Sequence, residues 1–309
     1  SDSPHLVAGD TNRREDVFVR DLVAGTVERV SVDSSGLQSN GTSYHPDISG
    51  DGRFVVFQST ATNLIAGDTN GIRDIFRHDR MTGVTERVNL STAGDQANGA
   101  SDFGMPRVSF DGSRVVFASY GSNLASFPSS GRQQIYLRDM NAGTTRMVSV
   151  GPGGAEGSGG AEFPDISDDG TRVVYHSWST NLVTSDGNGK TDVFLHDSTT
   201  GLTEIVSLHV AGGPLDGGSI LPRICGDGSK VAFVSLAGAD PVDTNLWYDL
   251  YVRDLAASAT VLVAAGPSGL ASSGSDFGEM SQDGRYVAFT SGDPLLVPGD
   301  TNGVADVFV

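Results

Sequence analysis

The sequence is poor in cysteine and in basic residues: it has one cysteine, Cys225, and 20 Lys and Arg against 38 Asp and Glu. A single cysteine excludes an internal disulfide framework and metal sites built from several cysteines. The formal net charge of −18 repels phosphate backbones and anionic lipids, so we expect no nucleic-acid partner. No apolar run approaches the roughly 20 residues that a spanning helix needs, and we therefore expect no membrane insertion. Divalent cations and cationic partners are favoured instead.

The chain is organised by an internal repeat with a period near 58 residues. One segment, S-x-D-G-x-x-V-x-F, has five copies, which begin at Ser49, Ser109, Ser167, Cys225 and Ser281. A second segment, of the form D-[VIL]-[FY], begins at Asp16, Asp74, Gln134 (where Gln replaces Asp), Asp192, Asp249 and Asp306. A third follows the second at Val27–Val32, Thr85–Leu90, Thr145–Val150, Thr203–Leu208 and Thr260–Val263. Repeats must be found before secondary structure is assigned, since they decide the architecture.

Each repeat predicts four short antiparallel strands, here called a, b, c and d. The Asp-Gly pair turns the chain between a and b, because glycine tolerates the positive φ of a tight hairpin. Strands b to d are rich in β-branched and aromatic residues, and no window shows sustained helical periodicity. The sequence therefore predicts an all-β protein, a β-propeller with five blades of four antiparallel strands.

The two ends of the chain predict how the propeller closes. Residues 1–19 align without gaps to residues 291–309, and 12 of the 19 are identical. We expect a single domain, 1–309, in which the N-terminal outer strands pair with the C-terminal inner strands; its blades are 44–101, 102–161, 162–219, 220–275, and 276–309 completed by 1–43. This leaves one spare c strand, either a frayed end or a segment for self-association through the C-terminal strand. A six-bladed ring is the alternative, and it needs two further strands.

The repeat resembles the TolB-type, WD-like β-propeller repeats of bacterial secreted and periplasmic proteins. The resemblance rests on S-x-D-G-x-x-V-x-F, on D-[VIL]-[FY]-[VL]-x-D and on a T-x-x-V-S strand, and it covers essentially the whole chain. It implies a scaffolding and binding role without shared catalytic residues, and an exported location, secreted, extracellular or periplasmic. Five repeats depart from the six blades usual in TolB.

The strongest chemical signal is an acidic loop between strands b and c, of the form D-x-N-x-x-x-D. Calcium takes six to eight oxygen ligands, and Asp, Asn and a backbone carbonyl at alternate loop positions supply them. We therefore expect Ca²⁺ as a cofactor, with modest affinity of about 10⁻⁴–10⁻³ M. The predicted ligands are Asp10, Asn12, Asp16, Asp68, Asn70, Asp74, Asp186, Asn188, Asp192, Asp243, Asn245, Asp249, Asp300, Asn302 and Asp306.

The same loops have a simpler interpretation, because Asp and Asn also close loops as Asx turns. The third repeat serves as an internal control, since residues 128–134 (PSSGRQQ) occupy the same positions without a carboxylate. The repeat therefore tolerates loss of the acids, which weakens the argument that the acids only shape the loop.

A second set of charges follows the proline position of strand a. The first strand of a blade lines the central channel of a propeller, so these residues predict a channel charge ring of neighbouring ion pairs. A structural belt of ion pairs is the preferred interpretation over a ligand site. The residues are Asp47, Arg107, Asp165, Arg223 and Glu279.

These observations predict a non-enzymatic, exported binding or scaffold module with calcium-binding loops, whose protein or glycan ligand the sequence does not identify. One alternative is a carbohydrate-active propeller enzyme that uses the central channel, with Tyr44, His45 and channel carboxylates. Another is a subunit of a cell-surface assembly joined by strand exchange. No G-x-S-x-G, H-E-x-x-H or Walker motif is present.

Overall fold

The fold is all-β. A computed structural model describes residues 1–3, 5–102, 104–127, 129–209, 212–236, 247–263 and 275–309; for residues 275–277 it describes the backbone alone. The described residues form 21 strands and one short 3₁₀ turn at Pro152–Gly154. They fall into two compact units, Ser1–Met147 and Val148–Val309.

The first unit contains a hairpin and two complete four-stranded sheets. The hairpin pairs β1 with β2, and in each sheet the strands are neighbours in chain order. The strands are β1 (Phe18–Arg20), β2 (Val27–Arg29), β3 (Ser43–Ile48), β4 (Phe54–Ser59), β5 (Asp74–Asp79), β6 (Val84–Arg87), β7 (Arg107–Val108), β8 (Arg114–Ser119), β9 (Gln134–Asp139) and β10 (Thr144–Met147).

The second unit contains two four-stranded sheets and one three-stranded sheet, again with strands in chain order. Its strands are β11 (Ala161–Ile166), β12 (Arg172–Ser177), β13 (Asp192–Asp197), β14 (Leu202–Ile205), β15 (Ser219–Ile224), β16 (Lys230–Ser235), β17 (Asp249–Asp254), β18 (Ala259–Leu262), β19 (Ser275–Met280), β20 (Val287–Ser291) and β21 (Asp306–Phe308). Across both units, the described residues give five sheets that start with an a–b hairpin. The prediction of five propeller blades is confirmed.

The expected pairing at the ends is wrong in one respect. The strand beside β20 is β21, which runs antiparallel to it with Thr290 opposite Val307. The place that the sequence assigned to the N-terminal outer strand is therefore taken by the C-terminal copy of the same four residues. The N-terminal copy, β1, pairs with β2. Self-association through the C-terminal strand stays a prediction.

Each blade is held together by an aromatic pair between strands b and c. In the first unit, Phe57 and Phe76 stack with ring centroids 6.0 Å apart, and in the second Phe233 and Tyr251 do the same at 6.0 Å. All four side chains are fully buried. Neighbouring sheets share these cores: Phe233 packs in one cluster with Val174 and residues of β13. Burial on both faces of the sheets is what the apolar b and c strands predicted.

The Asp-Gly turns join neighbouring repeats as well as strands a and b. In the turn at Ser49, the hydroxyl donates to Asp51, and the carboxylate accepts the amide of Arg53. The residue between Ser and Asp donates its amide to the matching carbonyl of the next repeat, Gly50 to Phe110 and Gly226 to Gln282, at 2.9 and 2.8 Å. At Gly226 a β-carbon would lie 2.4 Å from the Asp168 carboxylate and 2.5 Å from Gln282.

Strand a shows a register shift against strand b in four blades, and in three of them one residue with a large side chain has its backbone in the left-handed region. The residues are His45, Phe163 and Leu221, with φ of 50°, 50° and 54°. Each lies inside the register shift between strands a and b. This conformation is costly for a residue with a large side chain, and surrounding structure must enforce it. The following proline has no amide to give to the ladder, so the register shift at this point leaves no backbone donor unpaired.

Candidate functional site

The acidic loops end on the first residues of strand c, and there the second aspartate is buried. Asp74 and Asp192 are fully buried and open β5 and β13, opposite Ser59 and Ser177 of strand b. Asp16, two residues before β1, is also buried. Asp243 and Asn245 lie outside the described residues, whereas Asp249 is buried at the start of β17.

The asparagine of each described loop forms an Asx turn. Its Oδ1 accepts the amide two residues later, from Arg14, Ile72, Lys190 and Val304 at 3.0, 3.3, 2.8 and 3.0 Å. In three loops its Nδ2 donates to a carbonyl about 27 residues ahead, at Ser39, Ala97 and Leu215. The Asx-turn interpretation is therefore confirmed for Asn12, Asn70, Asn188 and Asn302. Their role as calcium ligands stays a prediction.

In the first two loops an arginine of strand d neutralises the two aspartates. Nη2 of Arg87 lies 2.8 Å from Asp68 Oδ1 and 3.0 Å from Asp74 Oδ2, and all three side chains are almost completely buried. Arg29 stands in the same relation to Asp10 and Asp16, at 3.4 and 3.7 Å. Burial raises the pKa of Asp74, while Asn89, Arg87 and Asn70 act to lower it.

The third and fourth loops lack this arginine, in different ways. The third has neither acid nor arginine: Gln134 opens β9, and Met147 occupies the strand-d position. The fourth has both acids, Asp186 and Asp192, but Ile205 in the place of the arginine. The described residues therefore include one acid pair, Asp186 and Asp192, whose carboxylate oxygens are buried and have no basic partner.

The fourth loop buries three carboxylate oxygens that make no hydrogen bond of ordinary geometry. Oδ1 of Asp192 accepts the Ser207 hydroxyl at 2.7 Å. Oδ2 of Asp192 and both oxygens of Asp186 are buried without such a bond among the described residues, although Asn188 lies near both carboxylates. Burial raises the pKa of Asp192 to about 6; Ser207 and Asn188 act to lower it, and the neighbouring Asp186 raises it further. Burial also raises the pKa of Asp186, and the Asn188 amide lowers it.

The last loop is more exposed than the others. Asp300 Oδ1 accepts the amide of Asn302 at 3.4 Å, and Asn302 Nδ2 donates to Asp306 at 2.8 Å. Over the described part of the chain, no cluster of three or more His, Cys, Asp or Glu side chains has the geometry of a metal site. Any cation in these loops would be held by two carboxylates with neutral oxygens and water.

Several residues that complete these loops were missed by the sequence reasoning. They lie on strand d: Arg29 and Arg87, and the polar residue two positions further, Ser31, Asn89 or Ser207. Ser31 and Asn89 donate to the second aspartate at 2.5 and 2.6 Å, as Ser207 does. The serine that recurs in T-x-x-V-S was the sequence signal that could have identified these strand-d positions.

The predicted charge ring contains ion pairs in each unit. Arg107 lies 3.5 Å from Asp47 in the first unit, and Arg223 lies 3.3 Å from Glu279 in the second. Asp47 and Asp165 also accept the amide that follows the arginine, from Val108 and Ile224, both at 2.9 Å. These bonds join consecutive repeats, as the structural interpretation of the ring requires. A ligand role for the ring stays a prediction.

Tyr44 and His45, the residues of the enzyme alternative, have structural partners. Nδ1 of His45 contacts Oε1 of Gln58 at 3.0 Å, and the Tyr44 ring lies edge-on to the imidazole. Arg73 lies over the Tyr44 ring and pairs with Asp102. Burial raises the pKa of Tyr44. The catalytic role of this group stays a prediction.

His176 occupies the position of Gln58 in the third blade and lies between aromatic rings. It is buried, stacks on Phe163 and contacts Trp178 edge-on. The Leu221 amide donates to Nδ1 at 3.3 Å, which links this blade to the next. Burial lowers the pKa of His176 to about 4. The imidazole is therefore neutral at pH 7.

This shift predicts a loss of stability in mild acid. The unfolded chain takes up a proton near pH 6.5 and the folded chain only near pH 4, so the free energy of unfolding falls across that interval. At about 1.4 kcal/mol per pH unit, the loss reaches roughly 3 kcal/mol by pH 4. Glu162, whose pKa burial raises, acts in the opposite direction. Urea unfolding from pH 7 to pH 4 should show a shallower pH dependence in His176→Gln than in the wild type; equal slopes would contradict the assignment.

Comparisons with known proteins identify the fold. No family model matches the sequence, and no curated protein matches it. Among solved structures, a candidate TolB from Agrobacterium tumefaciens superposes with a TM-score of 0.53 and 16% identity, covering 91% of this chain and 78% of its own. The chain has a TolB-type β-propeller fold.

Two further solved structures are similar to this chain. Oligogalacturonate lyase from Vibrio parahaemolyticus superposes on the TolB-type fold of this chain with a TM-score of 0.53 and 17% identity, over 95% of this chain and 71% of the lyase. TolB from Acinetobacter baumannii superposes with a TM-score of 0.49 and 16% sequence identity, over 89% of this chain. The chain spans 53% of that protein's length. In the described residues, no helix is long and apolar enough to cross a membrane.

Proposed function

We propose that the chain is a non-enzymatic TolB-type propeller module that binds a partner and is stabilised by calcium at its acidic loops. The observation that carries the calcium part is the pair Asp186 and Asp192, three of whose carboxylate oxygens are buried without a hydrogen bond of ordinary geometry among the described residues. Burying an ionised carboxylate without a counter-charge is expensive, and a bound cation removes that cost. Carboxylate oxygens are the ligands that Ca²⁺ prefers.

The location and the partner follow as parts of the same proposal. A site with two carboxylates is expected to bind calcium at about 10⁻⁴–10⁻³ M, which requires an extracellular or periplasmic concentration. The acidic composition is consistent with such an exported module. The partner is a protein or a glycan; the propeller fold supports a binding role because its repeated blades present many loops on one scaffold.

Thermal unfolding with and without calcium tests the proposal. The chain is freed of metal with EDTA and heated at pH 7 in buffer alone, in 10 mM CaCl₂, and in 10 mM MgCl₂ as a control. If Kd is about 10⁻⁴ M, calcium at about 100 times Kd adds about 2.7 kcal/mol to the free energy of unfolding. That stabilisation raises the Tm by several degrees in a chain of this size. The same Tm in EDTA and in CaCl₂ would refute the calcium part of the proposal.

A further inference from the structure

We infer that one position of strand d decides what neutralises each acidic loop, and that, among the loops described together with their strand d, the calcium site is the loop holding Asp186 and Asp192. Where that position is arginine, the guanidinium takes the place of a metal ion. Where it is Ile205, the acid pair is left for a divalent cation. This inference rests on the proposed function and assigns its site.

The position is equivalent by register in five repeats. It lies opposite the aromatic residue of strand c in each pairing: Arg29 opposite Phe18, Arg87 opposite Phe76, Met147 opposite Tyr136, Ile205 opposite Phe194 and Leu262 opposite Tyr251. The first acid of the loop that belongs with Leu262, Asp243, lies outside the described residues. The residue at this place is therefore set by the sequence of strand d and not by a shift of pairing. Since the five strands share one register, they differ at this position in the chemistry of the side chain alone.

The arginine loops are already neutralised by their own side chain. Arg87 reaches both Asp68 and Asp74 at ion-pair distance, with all three side chains buried. A divalent cation entering this loop would have to displace a buried guanidinium or accept its repulsion. The loop of Asp10 and Asp16 is protected in the same way by Arg29. These two loops are expected to bind calcium poorly or not at all.

The isoleucine loop has the opposite character. Asp192 is fully buried, and its Oδ2 and both carboxylate oxygens of Asp186 are buried without a hydrogen bond of ordinary geometry to the described residues. No ion pair to either aspartate is found within the described ranges. Three buried carboxylate oxygens supplied by one polar loop form the start of a hard-cation site, which waters would complete to six or more ligands.

The first test is the binding of CaCl₂, measured by isothermal titration calorimetry on the full chain. Ile205→Arg is expected to weaken binding by at least tenfold, because the new guanidinium occupies the cation's place. Leu202→Arg is the matched control, since it adds the same charge to an exposed position of the same strand. It should bind calcium as the wild type does. Asp186→Asn with Asp192→Asn should abolish binding.

The second test needs no calcium and separates this inference from the proposed function. In EDTA, Ile205→Arg should melt at a higher temperature than the wild type, because the guanidinium neutralises the acid pair; Leu202→Arg should not.

If calcium binding survives in Ile205→Arg or is lost in Asp68→Asn with Asp74→Asn, the assignment is overturned and the proposed function stands. If the wild type binds no calcium, both fail, and an unchanged Tm of Ile205→Arg in EDTA would remove the counter-ion argument as well.

Discussion

Arg87→Met is expected to lower the free energy of unfolding by about 3–5 kcal/mol at pH 7. The substitution removes the only positive charge that the described residues place against Asp68 and Asp74, and both carboxylates stay buried. Methionine is the residue that the third repeat carries at the equivalent position, Met147, so the side chain itself fits the blade. The measurement is urea unfolding of both proteins in EDTA.

A triple variant separates charge from packing in that experiment. Arg87→Met combined with Asp68→Asn and Asp74→Asn removes the acids together with the arginine, which the third repeat also lacks. Replacing all partners of a buried ion pair is often close to neutral, whereas removing one partner is costly. The triple variant should therefore recover most of the lost stability. If it is as unstable as the single variant, the arginine acts through packing and the counter-ion argument fails.

Phe233→Ala is the second large effect, with an expected loss of about 3–5 kcal/mol. The ring is completely buried, stacks on Tyr251 and belongs to a cluster that also contains Val174 and Leu195 of the preceding blade. Alanine leaves a cavity between two blades, because neighbouring sheets are held by strand pairing and cannot close on it. Chemical denaturation of the variant measures the loss.

An exposed aromatic residue is the control for this substitution. Tyr286 is about half exposed, and its ring contacts Arg285. Tyr286→Ala removes an aromatic ring of similar size from the same unit and should cost well under 1 kcal/mol. Similar losses in the two variants would mean that the blades do not share a packed core at Phe233.

The fold was predictable because every level of the repeat indicates the same structure. Ser49, Asp51 and Gly52 predict a tight turn, and the turn is closed by the hydrogen bonds that those side chains make. Phe57 and Phe76 lie in short segments rich in β-branched and aromatic residues, which predict strands b and c, and the two rings meet across these strands. The bulge at His45 was not predictable, because a left-handed backbone at a bulky residue has no local sequence signal.

The ends were harder to predict for a related reason. Residues 16–19 and 306–309 are the same four residues, so pattern alone gives either segment an equal claim to the place beside β20. The structure gives that place to β21. Sequence identity between repeats predicts the kind of strand, and it carries no information about which copy pairs.

The acidic loops were predictable as a motif and not as individual sites. Asp, Asn and Asp recur at fixed spacing, so the motif alone predicts the same site in every loop that has it. The feature that distinguishes the loops lies 13 residues beyond the second aspartate, at Arg29, Arg87 and Ile205. It acts through the pairing of strands c and d. A motif confined to the loop residues therefore does not include the strand-d residue that distinguishes one loop from another.

The contact between successive Asp-Gly turns has a consequence for which residues the turns accept. Gly50 lies against the ring of Phe110, and Gly226 lies between Asp168 and Gln282, whose side chains meet through a hydrogen bond of 2.5 Å. A side chain at either glycine would overlap the residue that faces it from a neighbouring repeat. The repeats are therefore not interchangeable copies: a turn moved from one position to another would fit only where the facing residue leaves it room.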